Sequence, residues 1–132
     1  VAITYSTTRR PDAGQILRLY AFAPWARHRK AGDVHRMLRY TPLFFSAWDG
    51  PALVGMGRAG TDFSFRAVLW DLIVDPAYAR KGIGSALVRS FLGHPRLRRV
   101  ESFWLSTTDK QAFYKKLGFR LNTKNIMVKK RG

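Results

Sequence analysis

The chain has 132 residues, and 24 Lys+Arg against 8 Asp+Glu give it a formal net charge of +16 at pH 7. A hydrophobic fraction of 46% and an aromatic fraction of 14% exclude a disordered basic polymer, since that much apolar side chain can build a core. The length suits one domain over residues 1–132, and the lack of cysteine excludes disulfide scaffolds, thiol catalysis and Cys-bound zinc.

Val1–Tyr5 reads as a short opening strand. Pro11 suits a first helical turn, and Ile16, Leu17, Leu19 and Tyr20 follow with helical spacing. Ala23–Gly32 reads as a loop, after which Asp33 is expected to cap a helix carrying Val34, Met37 and Leu38 on one face. Leu43–Trp48 is strand-like, Asp49–Gly50 is a hairpin signal, and Ala52–Met56 returns as the partner strand. A polar turn at Gly60–Ser64 leads into Phe65–Val74, the longest apolar strand, expected at the centre of a sheet. The next helix places Ile83, Ala86, Leu87, Ser90 and Phe91 on one face and ends at Gly93–His94–Pro95. Val100–Leu105 reads as a strand, Asp109–Leu117 as a helix stopped by Gly118, and Phe119–Leu121 with Ile126–Val128 as a closing pair of strands. The order β-α-α-β-β-β-α-β-α-β, with one further strand, describes a mixed α/β fold with helices flanking a mostly antiparallel sheet.

Two glycine patterns compete as phosphate sites. Gly55, Gly57 and Gly60 match G-x-G-x-x-G, but a dinucleotide site needs the third glycine inside a helix, and Thr61–Leu69 reads as turn and strand. Glycines at a strand end or bulge explain that pattern. Arg80–Ser85 (RKGIGS) follows a strand and opens a helix, where unpaired amides and the helix dipole attract phosphate oxygens. Gly82 and Gly84 permit close approach of the backbone, and Arg80 and Lys81 add charge.

Trp70–Val88 (WDLIVDPAYARKGIGSALV) followed by Gln111–Phe119 (QAFYKKLGF) resembles the GCN5-related N-acetyltransferase (GNAT) superfamily. The first stretch is similar to its acyl-CoA motif of strand, pyrophosphate turn and helix, and the second to its closing motif, with a tyrosine shortly before Leu-Gly-Phe. A narrower likeness is to small cyanobacterial and plastid acetyltransferases, some linked to serotonin-type arylalkylamines or to protein amines. Two departures stand out: Ala79 occupies the usual Gln/Arg position of the turn, and Thr107 replaces an asparagine seven residues before the tyrosine.

The resemblance implies an acetyl-CoA-dependent N-acetyltransferase acting on a primary amine by direct attack through a tetrahedral intermediate. Arg80, Lys81, Gly82, Ile83, Gly84 and Ser85 would hold the pyrophosphate. The backbone of Leu72, Ile73 and Val74 would pair with the pantetheine arm, with Thr107 beside it, and an N–H near Leu72 would face the oxyanion. Direct attack needs a neutral amine, although a free alkylamine has a pKa around 10 by the lysine reference. Asp71 is the candidate base, with a structural carboxylate paired to arginine as the alternative, and Tyr114 is the candidate acid toward the leaving thiolate. Asp75, before Pro76, is expected to cap or shape the turn.

The acceptor site is expected from the Tyr20–Asp33 loop, the Leu43–Trp48 strand and the Gly60–Phe65 turn, with Trp25, Phe44, Phe45, Trp48, Phe63 and Phe65 as aromatic surface. His28 and His35 read as surface or helix residues, and with His94 they are too scattered for a metal site. Apolar runs such as Ala67–Trp70 are too short to span a bilayer, and no signal-peptide pattern opens the sequence, so the expected compartment is the cytoplasm. A homodimer is a possible assembly, as in relatives.

The contrasting reading of the charge is a non-catalytic nucleic-acid or ribosome-associated module. Lys115–Gly132 contains Lys115, Lys116, Arg120, Lys124, Lys129, Lys130 and Arg131 and no acidic residue. Under the acetyltransferase reading the charge disfavours strongly cationic acceptors and suits neutral-bodied amines or acidic peptides.

Overall fold

The computed structural model describes residues 2–131. A five-stranded sheet runs in spatial order β1 (Thr4–Ser6), β2 (Leu43–Asp49), β3 (Ala52–Thr61), β4 (Arg66–Val74) and β5 (Ser102–Trp104). All neighbours are antiparallel except β4 and β5, which are parallel and joined by a helical crossover. Helices α1 (Ala13–Tyr20) and α2 (Ala31–Tyr40) cover one face, and α3 (Ile83–Leu92) and α4 (Gln111–Lys115) pack on the other.

Strand β2 shows why both faces are filled. Its residues alternate between the two cores: Leu43, Phe45 and Ala47 meet α3, while Phe44 and Trp48 meet α1 and α2. Phe44, Phe45 and Trp48 are therefore core residues, which corrects their expected place on an acceptor surface. Burying a side chain of this class contributes about 1.5–3 kcal/mol, so they anchor the sheet. The Asp49–Gly50 hairpin forms as expected, with Gly50 at φ 57°.

Helix α1 begins at Ala13, two residues after Pro11. Asp12 is its N-cap, accepting from the Gln15 amide at 2.8 Å, while the Gln15 side chain accepts from the Asp12 amide at 3.1 Å. Asp33 does not cap α2, which starts at Ala31 after an uncapped Lys30; Asp33 lies in the first turn, where its charge still suits the helix dipole. The opening strand spans Thr4–Ser6, with Val1 outside the described residues, and the strand expected at Val100–Leu105 shortens to Ser102–Trp104. No strand forms at Phe119–Leu121 or Ile126–Val128. Leu121 and Ile126–Val128 lie exposed among the basic side chains, with no sheet face beneath them to bury.

Gly55, Gly57 and Gly60 lie inside β3. A Cβ at Gly55 would come within 3.0 Å of Ile83 Cγ2 and 3.2 Å of Leu87 Cδ1, so that glycine lets α3 lie close on the sheet. Near Gly57 the register between β3 and β4 shifts: Met56 faces Ile73 but Arg58 faces Trp70. Asp71, at φ 56°, sits in the resulting bulge on β4. The bulge inverts the alternation of the strand, so Leu69 and Leu72 both meet the α3 core while Ile73 meets the α1 core.

Candidate active site

Pairing between β4 and β5 stops at Val68–Trp104. Beyond that point the β5-facing edge of Leu72, Ile73 and Val74 has no strand beside it. A buried Asp75 ends β4: it accepts from the Ala77 amide at 2.9 Å and pairs with Arg18, so it shapes the turn as expected. The chain then reaches α3 through two left-handed residues, Arg80 at φ 63° and Gly82 at φ 76°. Arginine in that region is strained by roughly 1–3 kcal/mol, of the kind that collects at ligand-binding turns. Gly82 is the N-cap of α3 without a side-chain bond, and the amides of Gly82, Ile83, Gly84 and Ser85 donate to no protein group among the described residues. Arg80 and Lys81 are exposed beside them.

Helix α4 docks against this turn. A Cβ on Gly84 would stand 3.4 Å from Phe113 Cζ and 3.8 Å from Val74 Cγ2, which places the end of β4, the start of α3 and α4 against one another. The next residue, Tyr114, is 8% exposed, with its ring edge-on to Phe113 and Phe119. Burial pushes its hydroxyl up to about 12. That hydroxyl makes no hydrogen bond among the described residues yet is not sealed from the surface. Thr107 lies just before α4, its Oγ1 accepting from the Lys110 amide at 3.1 Å.

On the α1 side of the sheet, the Asp71 side chain is 5% exposed and at the centre of a cluster. Its Oδ2 accepts from Tyr20 Oη at 2.8 Å, Arg29 Nη1 at 2.8 Å and Arg58 Nε at 2.7 Å. Its Oδ1 makes no protein hydrogen bond and keeps accessible surface. The Tyr20 hydroxyl is pushed up to about 12, first by burial and then by the charge and hydrogen bond of Asp71. Burial works against the charge on Arg29, but Asp71 and Tyr20 outweigh it and its pKa rises.

A cavity of ≈ 290 Å³ adjoins this cluster, lined by Tyr20, His28, Arg29, Asp33, Met37 and Arg58, with Val34 at its floor. The Tyr20–Asp33 segment supplies Tyr20, His28, Arg29 and Asp33 to its lining, whereas neither Leu43–Trp48 nor Gly60–Phe65 contributes. Trp25 and Phe65 are exposed, and Phe63 packs under the guanidinium of Arg96. His28 is exposed at the cavity and His35 is exposed on α2. Arg58 and Arg29 were not legible as site residues from spacing alone. The available signal was a lone arginine in the apolar MGRAG of β3, next to a strand with a lone aspartate in LWDLI.

The acetyltransferase (GNAT) family pattern matches residues 10–119. The chain belongs to the GNAT family. It is an acyltransferase domain of the kind that uses acetyl-CoA for N-acetylation. Over 75 residues, 56% of this chain, it is 35% identical to the histone acetyltransferase TAP1 of Glycine max, covering 32% of that protein. The chain thus spans about a third of the plant relatives it resembles. It is 33% identical over 119 residues to the [ribosomal protein bS18]-alanine N-acetyltransferase of Salmonella typhimurium, covering 86% of this chain and 76% of that one. A crystal structure of a GNAT-family protein from Xanthomonas campestris pv. campestris superposes with a TM-score of 0.89 at 25% identity, covering 99% of this chain and 94% of that one.

Proposed function

We propose that this GNAT domain acetylates a primary amine that reaches the reaction centre from the α1–α2 side of the sheet. The observation that carries the reading is the end of β4, open on its β5 side, beside the open N-terminus of α3, with α4 packed against both. Acetyl-CoA, when bound, supplies the activated acyl carbon and a thiolate leaving group.

The residues divide the remaining work. The amides of Gly82, Ile83, Gly84 and Ser85 have no protein acceptor and suit phosphate oxygens, and Arg80 and Lys81 add charge. The unpaired backbone of Leu72, Ile73 and Val74 offers hydrogen bonds to an extended, amide-bearing arm. A backbone N–H near Leu72, at the bulge, would face the developing oxyanion. Thr107 Oγ1 accepts from the Lys110 amide and keeps its O–H to donate to the pantetheine arm.

Asp71 serves in two capacities, one per oxygen. Oδ2 fastens Tyr20, Arg29 and Arg58, which is the structural role weighed for it from the sequence. Oδ1 is the atom left to take a proton from the amine, directly or through water. Tyr114, held protonated by burial, would deliver a proton to the departing thiolate. The test is a titration of the wild-type domain with acetyl-CoA, repeated with Gly84→Leu. Saturable binding that weakens at least about tenfold in the variant is expected from losing close backbone approach. Absence of saturable binding to the wild type refutes the reading.

A further inference from the structure

The cavity beside Asp71 holds more cation than its buried anion balances. Arg29 and Arg58 are both within hydrogen-bond reach of the single oxygen Asp71 Oδ2, so two positive charges meet one negative charge. Their side chains are 28% and 23% exposed, which limits screening by water and salt. Asp33, the other carboxylate at the cavity, is 62% exposed and engaged by Arg36 at 3.2 Å, so it does not cancel the surplus.

The spare charge has directed donors. A guanidinium carries five N–H groups, and each of these two spends only one kind of nitrogen on Asp71. Nη1 and Nη2 of Arg58 donate to no protein atom among the described residues, and Arg29, which meets both Asp71 and Tyr20, has more N–H groups than those two partners use. Arg29 is held in place by ring faces, its guanidinium carbon 4.8 Å from the Tyr20 centroid and 5.4 Å from that of Trp25. Planar guanidinium groups with free edges match a carboxylate. The CoA phosphates do not account for them, because the α3 turn belongs to the opposite face of the sheet.

We infer that the acceptor is a zwitterionic amine of the α-amino acid type, its carboxylate bound by Arg29 and Arg58 and its amine turned toward Asp71 Oδ1. The inference rests on the acetyltransferase reading and specifies its substrate class. In the reacting form the amine is neutral and the carboxylate charged, so the acceptor's net charge opposes the surplus of the cavity. A simple alkylammonium would instead meet that surplus without an anion to offset it. Once the amine has lost its proton to Asp71 Oδ1, its nitrogen lone pair forms the N–C bond. As that bond forms, the carbonyl π pair moves onto oxygen. When it returns, the C–S bond breaks, and its electron pair leaves on sulfur and takes the Tyr114 proton. The second proton of the nitrogen passes through water to the Tyr114 oxygen, leaving a neutral amide.

The experiment compares kcat/KM at saturating acetyl-CoA for α-amino acids from alanine to tryptophan, their methyl esters and their decarboxylated amines. For the wild type, at least one amino acid should exceed its ester and its amine by about tenfold or more, the effect of a charge-assisted hydrogen bond. Arg58→Gln and Arg29→Gln should each bring that ratio toward one, a change that loss of packing alone would not produce. A second readout needs no variant: 3-phenylpropanoate should inhibit the wild type competitively against the acceptor, and 3-phenylpropanol should not. Turnover of esters or decarboxylated amines as good as that of the acids overturns the inference and leaves the acetyltransferase reading standing. So does saturable acetyl-CoA binding with no amino acid acetylated, including the case where only peptide amines react. Failure of acetyl-CoA to bind at all overturns both.

Discussion

The Tyr114 hydroxyl has no partner among the described residues, and burial pushes it up to about 12. Removing it with Tyr114→Phe keeps the ring contacts to Phe113 and Phe119, so stability should change by less than about 0.5 kcal/mol. If the hydroxyl protonates the leaving thiolate, kcat falls by about 10²-fold or more while acetyl-CoA affinity holds; unchanged turnover removes the role. The sign of the pH effect follows from the raised pKa. The protonated donor is present throughout from about pH 6 to about pH 10, so Tyr114 places no alkaline limb on the rate profile below about pH 10. Its contribution to stability is complete below the ordinary tyrosine pKa and is lost as pH rises toward 12. Asp71→Asn puts an amide among Tyr20, Arg29 and Arg58, and should cost about 1–3 kcal/mol in denaturant unfolding as well as turnover. The sequence singles out Tyr114 through its motif and Asp71 through its place on the strand as candidates. It did not expose the arginines that bind Asp71, because the bulge that turns the carboxylate toward α1 depends on pairing with β3, which no local pattern encodes.

At the scale of elements, legibility followed the strength of the apolar pattern. Strands β2 and β4 and helices α1 and α3 bury a face and were readable within a few residues. Of the C-terminal strands expected at Phe119–Leu121 and Ile126–Val128, only Phe119 packs on the core, against Tyr114, while Leu121 and Ile126–Val128 stay exposed, and apolar side chains without a face to cover do not hold a strand. Gly55, Gly57 and Gly60 were rightly refused as a dinucleotide turn, yet their real work needed the structure: one permits α3 to approach, and another stands opposite the bulge. Gly55→Val therefore forces side-chain carbon into Ile83, Leu87 and the Ala47 Cβ, which lies 3.3 Å from the position of a Cβ. Overpacking of this sort costs about 1–3 kcal/mol. Because Ile83 opens α3, the same change should also loosen the phosphate turn. Thermal unfolding and acetyl-CoA affinity should fall together; lowered stability with affinity intact would show that the turn is held independently of the contact between α3 and the sheet.

The net charge of +16 is the property of the whole molecule, and the fold divides it. Arg18 is tied to Asp75, and Arg29 and Arg58 share Asp71, so these arginines are committed to named partners. Arg80 and Lys81 stand exposed at the α3 turn, and the basic side chains of residues 120–131 lie exposed along the C-terminal segment. A field of one sign raises the local concentration of a multiply charged anion and speeds its capture without changing the chemistry that follows. A zwitterionic acceptor, close to neutral overall, gains little from that field at long range. The two substrates should therefore answer salt differently. Raising ionic strength from about 0.01 M to about 0.15 M shortens the screening length from about 30 Å to about 8 Å. Over that range KM for acetyl-CoA should rise several-fold, while kcat and KM for an α-amino acid acceptor stay within about twofold. Steady-state kinetics in sodium chloride measures both constants on one protein. A KM for acetyl-CoA that ignores salt would mean that capture depends on the short-range amides of α3 alone and that the surplus charge serves a different anion. An acceptor KM that climbs in parallel would show instead that the acceptor too arrives with net negative charge, as an acidic peptide would.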